Sequence, residues 1–139
     1  MSMISYIKGV ADGVINENDD LDPIRIVKSL KRVEYNTQPL TKNINGFYKY
    51  ISPNRQMIVV NENLSVEDSY MTLFHELSHY FLEHKNNLLL NSRLTMHLKE
   101  EYEADLCATC LYLAYIKKHR CCDDIVYPKR VCELIRYLK

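Results

Sequence analysis

The chain has 139 residues, of which 47% are hydrophobic and 26% are charged, and this length and composition are typical of a single globular domain. Its 18 Lys and Arg residues balance its 18 Asp and Glu residues, so it lacks the basic excess that usually marks a nucleic-acid-binding protein. The longest uninterrupted apolar run, residues 111–116, is far shorter than the ~20 residues of a membrane-spanning helix. From these three observations we expect one domain over residues 1–139 that contacts neither nucleic acid nor membrane.

Two helices are predicted at the amino-terminal end, over about residues 3–31. The apolar residues of the first helix recur at helical spacing, at Ile4, Ile7, Val10 or Ala11, and Val14. After a polar break, Asp22 and Pro23 predict the start of the second helix, because Asp can cap a helix and proline suits the first helical position.

The region of residues 33–61 predicts a small sheet. Three stretches carry β-branched or aromatic residues, at residues 33–36, 46–51 and 56–61. Residues 52–55 read Ser-Pro-Asn-Arg, which indicates a turn between the second and third stretches. We therefore predict three strands in a mostly antiparallel sheet.

The remainder of the chain is predicted to be helical. Ser65 and Asp68 resemble a capping box that begins a helix ending near residue 83. A loop follows, then a long helix over about residues 94–118, and Pro128 begins a last helix that ends near residue 138. The predicted fold class is α+β: a mainly helical single domain with a small sheet before the third helix.

The sequence HELSH at residues 75–79 is an HExxH motif within that third helix. Residues four apart lie about 40° apart around a helix axis, so His75 and His79 can face one metal ion. Zinc accepts two such nitrogens, needs a further protein ligand, and leaves a position for water. Glu76 points about 100° away from His75, where its carboxylate can take a proton from the attacking water.

The third metal ligand is expected on the following helix. The candidates are Glu100, Glu101, Glu103 and His97. Glu101 and Asp105 share one helix face, so Glu101 can reach the metal while Asp105 accepts a hydrogen bond from a ligating histidine. Glu103 points about 200° away from Glu101 and is expected to face solvent or another partner. His97 lies one turn before Glu101 and is an alternative ligand or a residue of the cleft.

Several other polar residues are less suited to the metal site. His84 follows His79 by five positions, about 140° around the helix, and is a poor ligand. His119 lies near a helix end, where a solvated side chain is favoured. Tyr102 is a candidate for lining the cleft or donating a hydrogen bond to an oxyanion.

The five cysteines indicate reduced thiols, because an odd number does not suit a disulfide framework. A structural zinc site formed by Cys107, Cys110, Cys121 and Cys122 is an alternative. It is disfavoured because the first pair lies in a helical pattern, where Cys is commonly a small buried residue. The amino terminus also lacks the features of an export signal, so a cytoplasmic location is expected.

Together these motifs resemble the ImmA/IrrE family of small metallopeptidases. Members of that family carry a strand that ends in Asn, as at residues 58–61, and then a helix with HExxH, as at residues 72–79. A following helix carries a Glu and the sequence Glu-Ala-Asp, as at residues 101–105. The order is also that of the gluzincin peptidases, and the resemblance spans about residues 46–113.

The resemblance implies a zincin-like fold with one zinc ion per chain. His75, His79 and Glu101 would bind the ion, Glu76 would be the general base, and Asp105 would support a ligand. The implied activity is that of a zinc-dependent endopeptidase of narrow specificity. One departure is that no proline ends the Glu-bearing helix near residues 111–114, so this helix is expected to continue.

The resemblance also indicates the kind of partner. Family members commonly occur in phages, mobile elements and stress operons, and several cleave or help to inactivate a helix-turn-helix repressor. A transcriptional repressor is therefore the expected protein substrate. The alternative is a non-catalytic zinc-binding anti-repressor or interaction module that binds its partner without hydrolysis.

Overall fold

The structure is a computed structural model that describes residues 2–85, 89–92, 99–119 and 128–138. The described elements are, in chain order, α1 (Met3–Glu17), α2 (Pro23–Ser29), β1 (Val33–Gln38), β2 (Ile44–Ser52), β3 (Arg55–Asn61), α3 (Val66–Phe81), β4 (Leu89–Ser92), α4 (Lys99–His119) and α5 (Lys129–Leu138). This architecture confirms the predicted class, a mainly helical α+β protein with a small sheet.

The helix starts that were predicted from capping residues are confirmed. The side chain of Asp22 accepts a hydrogen bond from the backbone N–H of Ile24, and Pro23 is the first residue of α2. The hydroxyl of Ser65 accepts a hydrogen bond from the backbone N–H of Asp68 at 3.2 Å, which begins α3. Each cap satisfies an N–H group that has no partner inside its helix.

The sheet has four strands in the order β1-β3-β2-β4. β2 pairs antiparallel with both β3 and β4, whereas β1 pairs parallel with β3. The fourth strand was not predicted and follows the HExxH helix, because its four residues, Leu-Leu-Asn-Ser, are too few to show the alternation that indicates a strand. The sheet is mostly antiparallel, as predicted.

Helix α3 lies between the sheet and α4. It packs on β2 and β3 on one side and on α4 on the other, while α1 and α5 also pack on α4. Residues 71–79 are all buried, since α3 is covered on both sides. The core around it contains buried apolar residues from sheet and helices, among them Ile58, Val60, Phe74, Leu77, Leu106 and Leu111.

The packing of α3 has a consequence for its polar residues. The HExxH segment lies in the most buried part of the helix, so its two histidines and Glu76 face protein groups rather than bulk water. Buried polar groups of this kind need hydrogen bonds or a metal ion to be tolerated. None of the described helices is long and apolar enough to cross a membrane.

Candidate metal centre

Three buried side chains from two helices converge on one point. His75 and His79 come from α3 and Glu101 comes from α4, and their potential ligand atoms all lie within 4.8 Å of one another. Nε2 of His75 is 2.6 Å from Oε2 of Glu101, and Nε2 of His79 is 3.1 Å from the same oxygen. The three residues are close enough to bind one metal ion.

The chemistry of this group fits a divalent metal ion. Two imidazole nitrogens and one carboxylate form the donor set of many catalytic zinc sites. The second carboxylate oxygen of Glu101, Oε1, is buried and has no hydrogen-bond partner among the described residues. Because a buried carboxylate oxygen without a partner is unfavourable, a cation at this point would stabilise the arrangement.

The charges of the group also suit a cation. Burial favours the protonated form of Glu101, but hydrogen bonds from His75 and His79 outweigh burial and lower the pKa of Glu101 to about 2. Burial lowers the pKa of His79 to about 4, although its hydrogen bond to Glu101 opposes this shift. Glu101 is therefore ionised and His79 is neutral at pH 7, as metal ligands must be.

His75 is in a different electrostatic environment from His79. Burial alone would lower the pKa of His75, but the negative charges of Asp105 and Glu76, together with hydrogen bonds to Asp105 and Glu101, raise this pKa well above its usual value. The neighbouring carboxylates thus favour an additional proton on His75 in the metal-free protein. Metal binding through Nε2 would displace this proton.

Asp105 orients His75 from the side opposite the metal position. Oδ1 of Asp105 is 2.7 Å from Nδ1 of His75, as expected for a carboxylate that fixes the tautomer of a ligating histidine. The other oxygen, Oδ2, accepts a hydrogen bond of 2.7 Å from Nε of Arg130 in α5. No sequence pattern indicated Arg130, since this residue contacts the site only because α5 packs on α4.

His79 is oriented by another histidine. Nδ1 of His79 lies 2.8 Å from Nδ1 of His84, and Nε2 of His84 lies 3.2 Å from Oε1 of Glu103. The ring of Tyr48 stacks on His79, with 5.6 Å between the ring centroids. His84 therefore lies behind His79, one of the proposed ligands, and the sequence interpretation missed this contact. Glu103 faces His84 rather than the proposed metal position.

Glu76 lies beside the converging ligands. Its side chain is fully buried, and its Oε1 is 3.9 Å from Nε2 of His79. Strand β2 passes close to this carboxylate at Gly46, where an added Cβ would lie 3.2 Å from Oε2 of Glu76 and only 2.6 Å from the carbonyl oxygen of Val59. The absence of a side chain at Gly46 thus permits the close approach of β2 to Glu76.

The other candidate residues occupy distinct places. Oε2 of Glu100 lies 3.6 Å from Nδ1 of His84. Tyr102 is partly buried and packs against the hydrophobic core, while His97 lies outside the described residues. His119 is exposed, as expected for the end of a helix, and contacts the backbone carbonyl of Asp20. The suggested cleft roles of Tyr102 and His97 stay predictions.

The described cysteines of α4 do not belong to the group of residues that could hold a metal ion. Cys107 is fully buried and Cys110 is partly buried. Burial raises the pKa of Cys107 to about 12 and that of Cys110 to about 11, so both are neutral thiols at pH 7 in the metal-free protein. Cys121 and Cys122 lie outside the described residues.

The arrangement of two histidines and a glutamate from an HExxH helix and its neighbour is typical of metallopeptidases, and the three residues could hold a metal ion. The chain belongs to the peptidase family whose model is described as the IrrE N-terminal-like domain, which matches residues 32–134. The match confirms the resemblance to the ImmA/IrrE family and extends it from β1 into α5, so that it includes Arg130. Searches of curated proteins and of solved structures gave no significant match.

Proposed function

We propose that the protein is a zinc-dependent endopeptidase of narrow specificity. The observation that carries this proposal is the convergence of His75, His79 and Glu101 within a buried site that also holds the carboxylate of Glu76. Membership in a peptidase family supports the same function. The three converging residues would hold the ion, and Glu76 would remain available for proton transfer.

The proposed chemistry assigns one role to each group. A bound zinc ion would polarise the scissile carbonyl and increase the acidity of the attacking water. Glu76 accepts the proton of that water and then donates it to the leaving amine. Asp105 holds the ring of His75 by a hydrogen bond, so that this ligand keeps its orientation throughout the reaction.

The proposed substrate is an extended segment of a partner protein. The described sheet ends in β1 on one side and β4 on the other, and extended peptides commonly pair with the outer strand of a sheet. A transcriptional repressor of a phage or mobile element is our preferred partner, by analogy with the ImmA/IrrE family, and cleavage of such a protein would take place in the cytoplasm.

The substitution Glu76→Gln tests the proposed function. Glutamine has nearly the same shape but cannot accept the proton, so we expect cleavage to fall by about 10²–10⁴-fold while zinc stays bound. Cleavage is measured by mass spectrometry on a peptide library and on any repressor found to be encoded beside this gene, with zinc content measured on the same samples. Glu67→Gln is the matched control, because Glu67 is an exposed residue of the same helix.

Two results would contradict the proposal. If the Glu76→Gln variant holds zinc and cleaves at the rate of the unmodified protein, Glu76 is not the general base. Relief of repression by both proteins, with no cleavage by either, would favour the anti-repressor that binds its partner without hydrolysis.

A further inference from the structure

We infer that His84 is a positioning residue of the metal centre. It accepts a hydrogen bond from Nδ1 of His79 and thereby directs Nε2 of His79 towards the ion. The inference rests on the metal-binding part of the proposed function and adds a residue that is not itself a ligand. It starts from the distance of 2.8 Å between the Nδ1 atoms of the two histidines.

The positions of the protons follow from this distance. Two nitrogens at 2.8 Å share one hydrogen, so one of them donates and the other accepts. A neutral imidazole that binds metal through Nε2 carries its proton on Nδ1. In the zinc-loaded protein His79 is therefore the donor, and His84 accepts through its own Nδ1.

The other nitrogen of His84 completes the same pattern. When Nδ1 accepts, the proton of a neutral His84 resides on Nε2, which lies 3.2 Å from Oε1 of Glu103. The Glu103 carboxylate can accept this hydrogen bond. Glu103, His84 and His79 thus form one hydrogen-bonded chain that ends at the proposed metal position. Oε2 of Glu100 also lies near Nδ1 of His84, but its distance of 3.6 Å exceeds that of a hydrogen bond.

The backbone at the end of α3 places His84 behind His79. The N–H of Glu83 donates to the carbonyl of Tyr80 at 3.1 Å, and the N–H of His84 donates to the carbonyl of His79 at 3.0 Å. These two bonds form a Schellman motif, in which the residue after the helix cap adopts the left-handed conformation. Glu83 has a φ of 60°, as the motif requires.

The conformation of Glu83 indicates that contacts with the rest of the protein hold this helix end in place. A left-handed conformation is unfavourable for a non-glycine residue, and glycine usually occupies this position. The strained turn returns the chain towards α3 and brings the imidazole of His84 to the ring of His79. His84 is only 8% exposed, so its ring is held by protein contacts.

The two histidine ligands are therefore supported in different ways. His75 donates to the carboxylate of Asp105, whose charge is balanced by Arg130. In the zinc-loaded protein His79 would donate to the imidazole of His84, which itself lies within hydrogen-bond distance of Glu103. Because groups that orient a ligating histidine typically change metal affinity by about 10–100-fold, loss of His84 should be measurable as weaker zinc binding.

A pair of substitutions separates hydrogen bonding from packing. His84→Leu fills the space without an acceptor, whereas His84→Asn places a carbonyl oxygen near the position of Nδ1. We expect zinc affinity, measured by competition with a chelator, to fall about 10–100-fold in His84→Leu and only a few-fold in His84→Asn. His119→Leu is the control, because His119 is an exposed histidine at the distant end of α4, and it should bind zinc normally.

A second measurement does not depend on any substitution. Nitrogen-15 NMR of the zinc-loaded protein should show the proton of His79 on Nδ1 and that of His84 on Nε2. Thermal unfolding of the metal-free variants reports any change in packing. If His84→Asn binds zinc more tightly than His84→Leu but is no more stable without metal, the result would support hydrogen bonding as the role of His84.

The outcomes distinguish this inference from the proposed function. If both His84 variants bind zinc as the unmodified protein does, or lose affinity equally, the inference is wrong while the zinc site remains. The opposite tautomer of His84 in the NMR spectrum would also overturn it. If the unmodified protein fails to bind zinc, the proposed function fails together with the inference.

Discussion

Nδ1 of His75 lies 2.7 Å from Oδ1 of Asp105, although the two residues are 30 positions apart in the chain. This hydrogen bond joins α3 to α4 directly behind one of the proposed metal ligands. Arg130 of α5 binds the second oxygen of Asp105 at the same distance of 2.7 Å. Three helices therefore determine the orientation of a single imidazole, and substitutions in each of them should affect the metal site.

The identity of the third ligand can be tested on α4. Glu101→Ala should abolish tight zinc binding, because two histidines alone hold the ion weakly, and His75→Ala or His79→Ala should do the same. Glu103→Ala should keep the ion, with a smaller loss of affinity through His84. Metal content and a zinc titration under reducing conditions measure the difference.

The reverse result, in which Glu103→Ala loses the ion and Glu101→Ala keeps it, would reject the assignment of ligands on α4. Full zinc occupancy in a His75→Ala, His79→Ala double variant would place the metal elsewhere, and the cysteines would be the first residues to examine.

The contact of Arg130 with Asp105 should stabilise both the fold and the metal site. Arg130→Met keeps the apolar stem but removes the hydrogen bond to the mostly buried Asp105, so we expect a loss of about 1–2 kcal/mol in the free energy of unfolding and several-fold weaker zinc binding. Urea denaturation and a zinc titration measure the two effects.

Arg55→Met is the matched control for this prediction. Arg55 also binds a carboxylate through Nε, that of Glu34 at 3.1 Å, but both side chains are more than half exposed. Its removal should change the free energy of unfolding by less than about 1 kcal/mol and leave zinc affinity unchanged. Equal effects of the two substitutions would show that Arg130 has no special role.

The close approach of β2 to Glu76 predicts that Gly46→Ala is harmful. The new Cβ would lie 2.6 Å from the carbonyl oxygen of Val59 and 2.9 Å from Cγ2 of Thr72, so the strand or the helix must move. We expect a destabilisation of about 1–3 kcal/mol, and a displaced Glu76 should also lower peptidase activity. Thermal unfolding measures the first effect.

Gly9→Ala provides the opposite expectation within the same chain. Gly9 is an exposed residue of α1, and an added Cβ would meet nothing within 4 Å. Alanine in a helix is favoured over glycine by about 0.5–1 kcal/mol, so this variant should be more stable. A stable and fully active Gly46→Ala protein would contradict the tight packing at Glu76.

The buried thiol of Cys107 predicts how the protein responds to alkaline pH. Burial raises the pKa of Cys107 from 9.0 to about 12, so its folded form keeps the proton after the unfolded chain has lost it. The resulting contribution to stability is present below pH 9 and should be lost as pH rises from 9 towards 12. Denaturation curves across this interval measure the decrease in the free energy of unfolding.

Alkylation at pH 8 gives an independent check of the same thiol. Because the thiolate is the reactive species, Cys107 should resist iodoacetamide in the folded protein and react after denaturation. Cys132 is exposed and should react in the folded protein, which makes it the internal control. Peptide mapping by mass spectrometry that shows equal labelling of the two residues would contradict the buried position of Cys107.

Features that lie within single helices could be predicted from the sequence alone. Four-residue spacing places His75 and His79 on one face of α3 and brings Glu101 and Asp105 to one face of α4, because the geometry of a helix is the same in every protein. The caps at Asp22 and Ser65 are likewise short-range, since each involves residues within three positions of each other. These features could be read without knowledge of the fold.

The contacts that support the proposed ligands depend instead on how the helices and strands pack together. Arg130 reaches Asp105 because α5 packs on α4, and no local pattern encodes that packing. The parallel pairing of β1 with β3 and the short strand β4 also depend on the assembled sheet. The sequence correctly indicated that His84 is not a metal ligand, but its contact with His79 was missed, since the helix was predicted to run to about residue 83. In the structure α3 ends at Phe81, and Glu83 adopts a left-handed conformation that turns His84 towards His79.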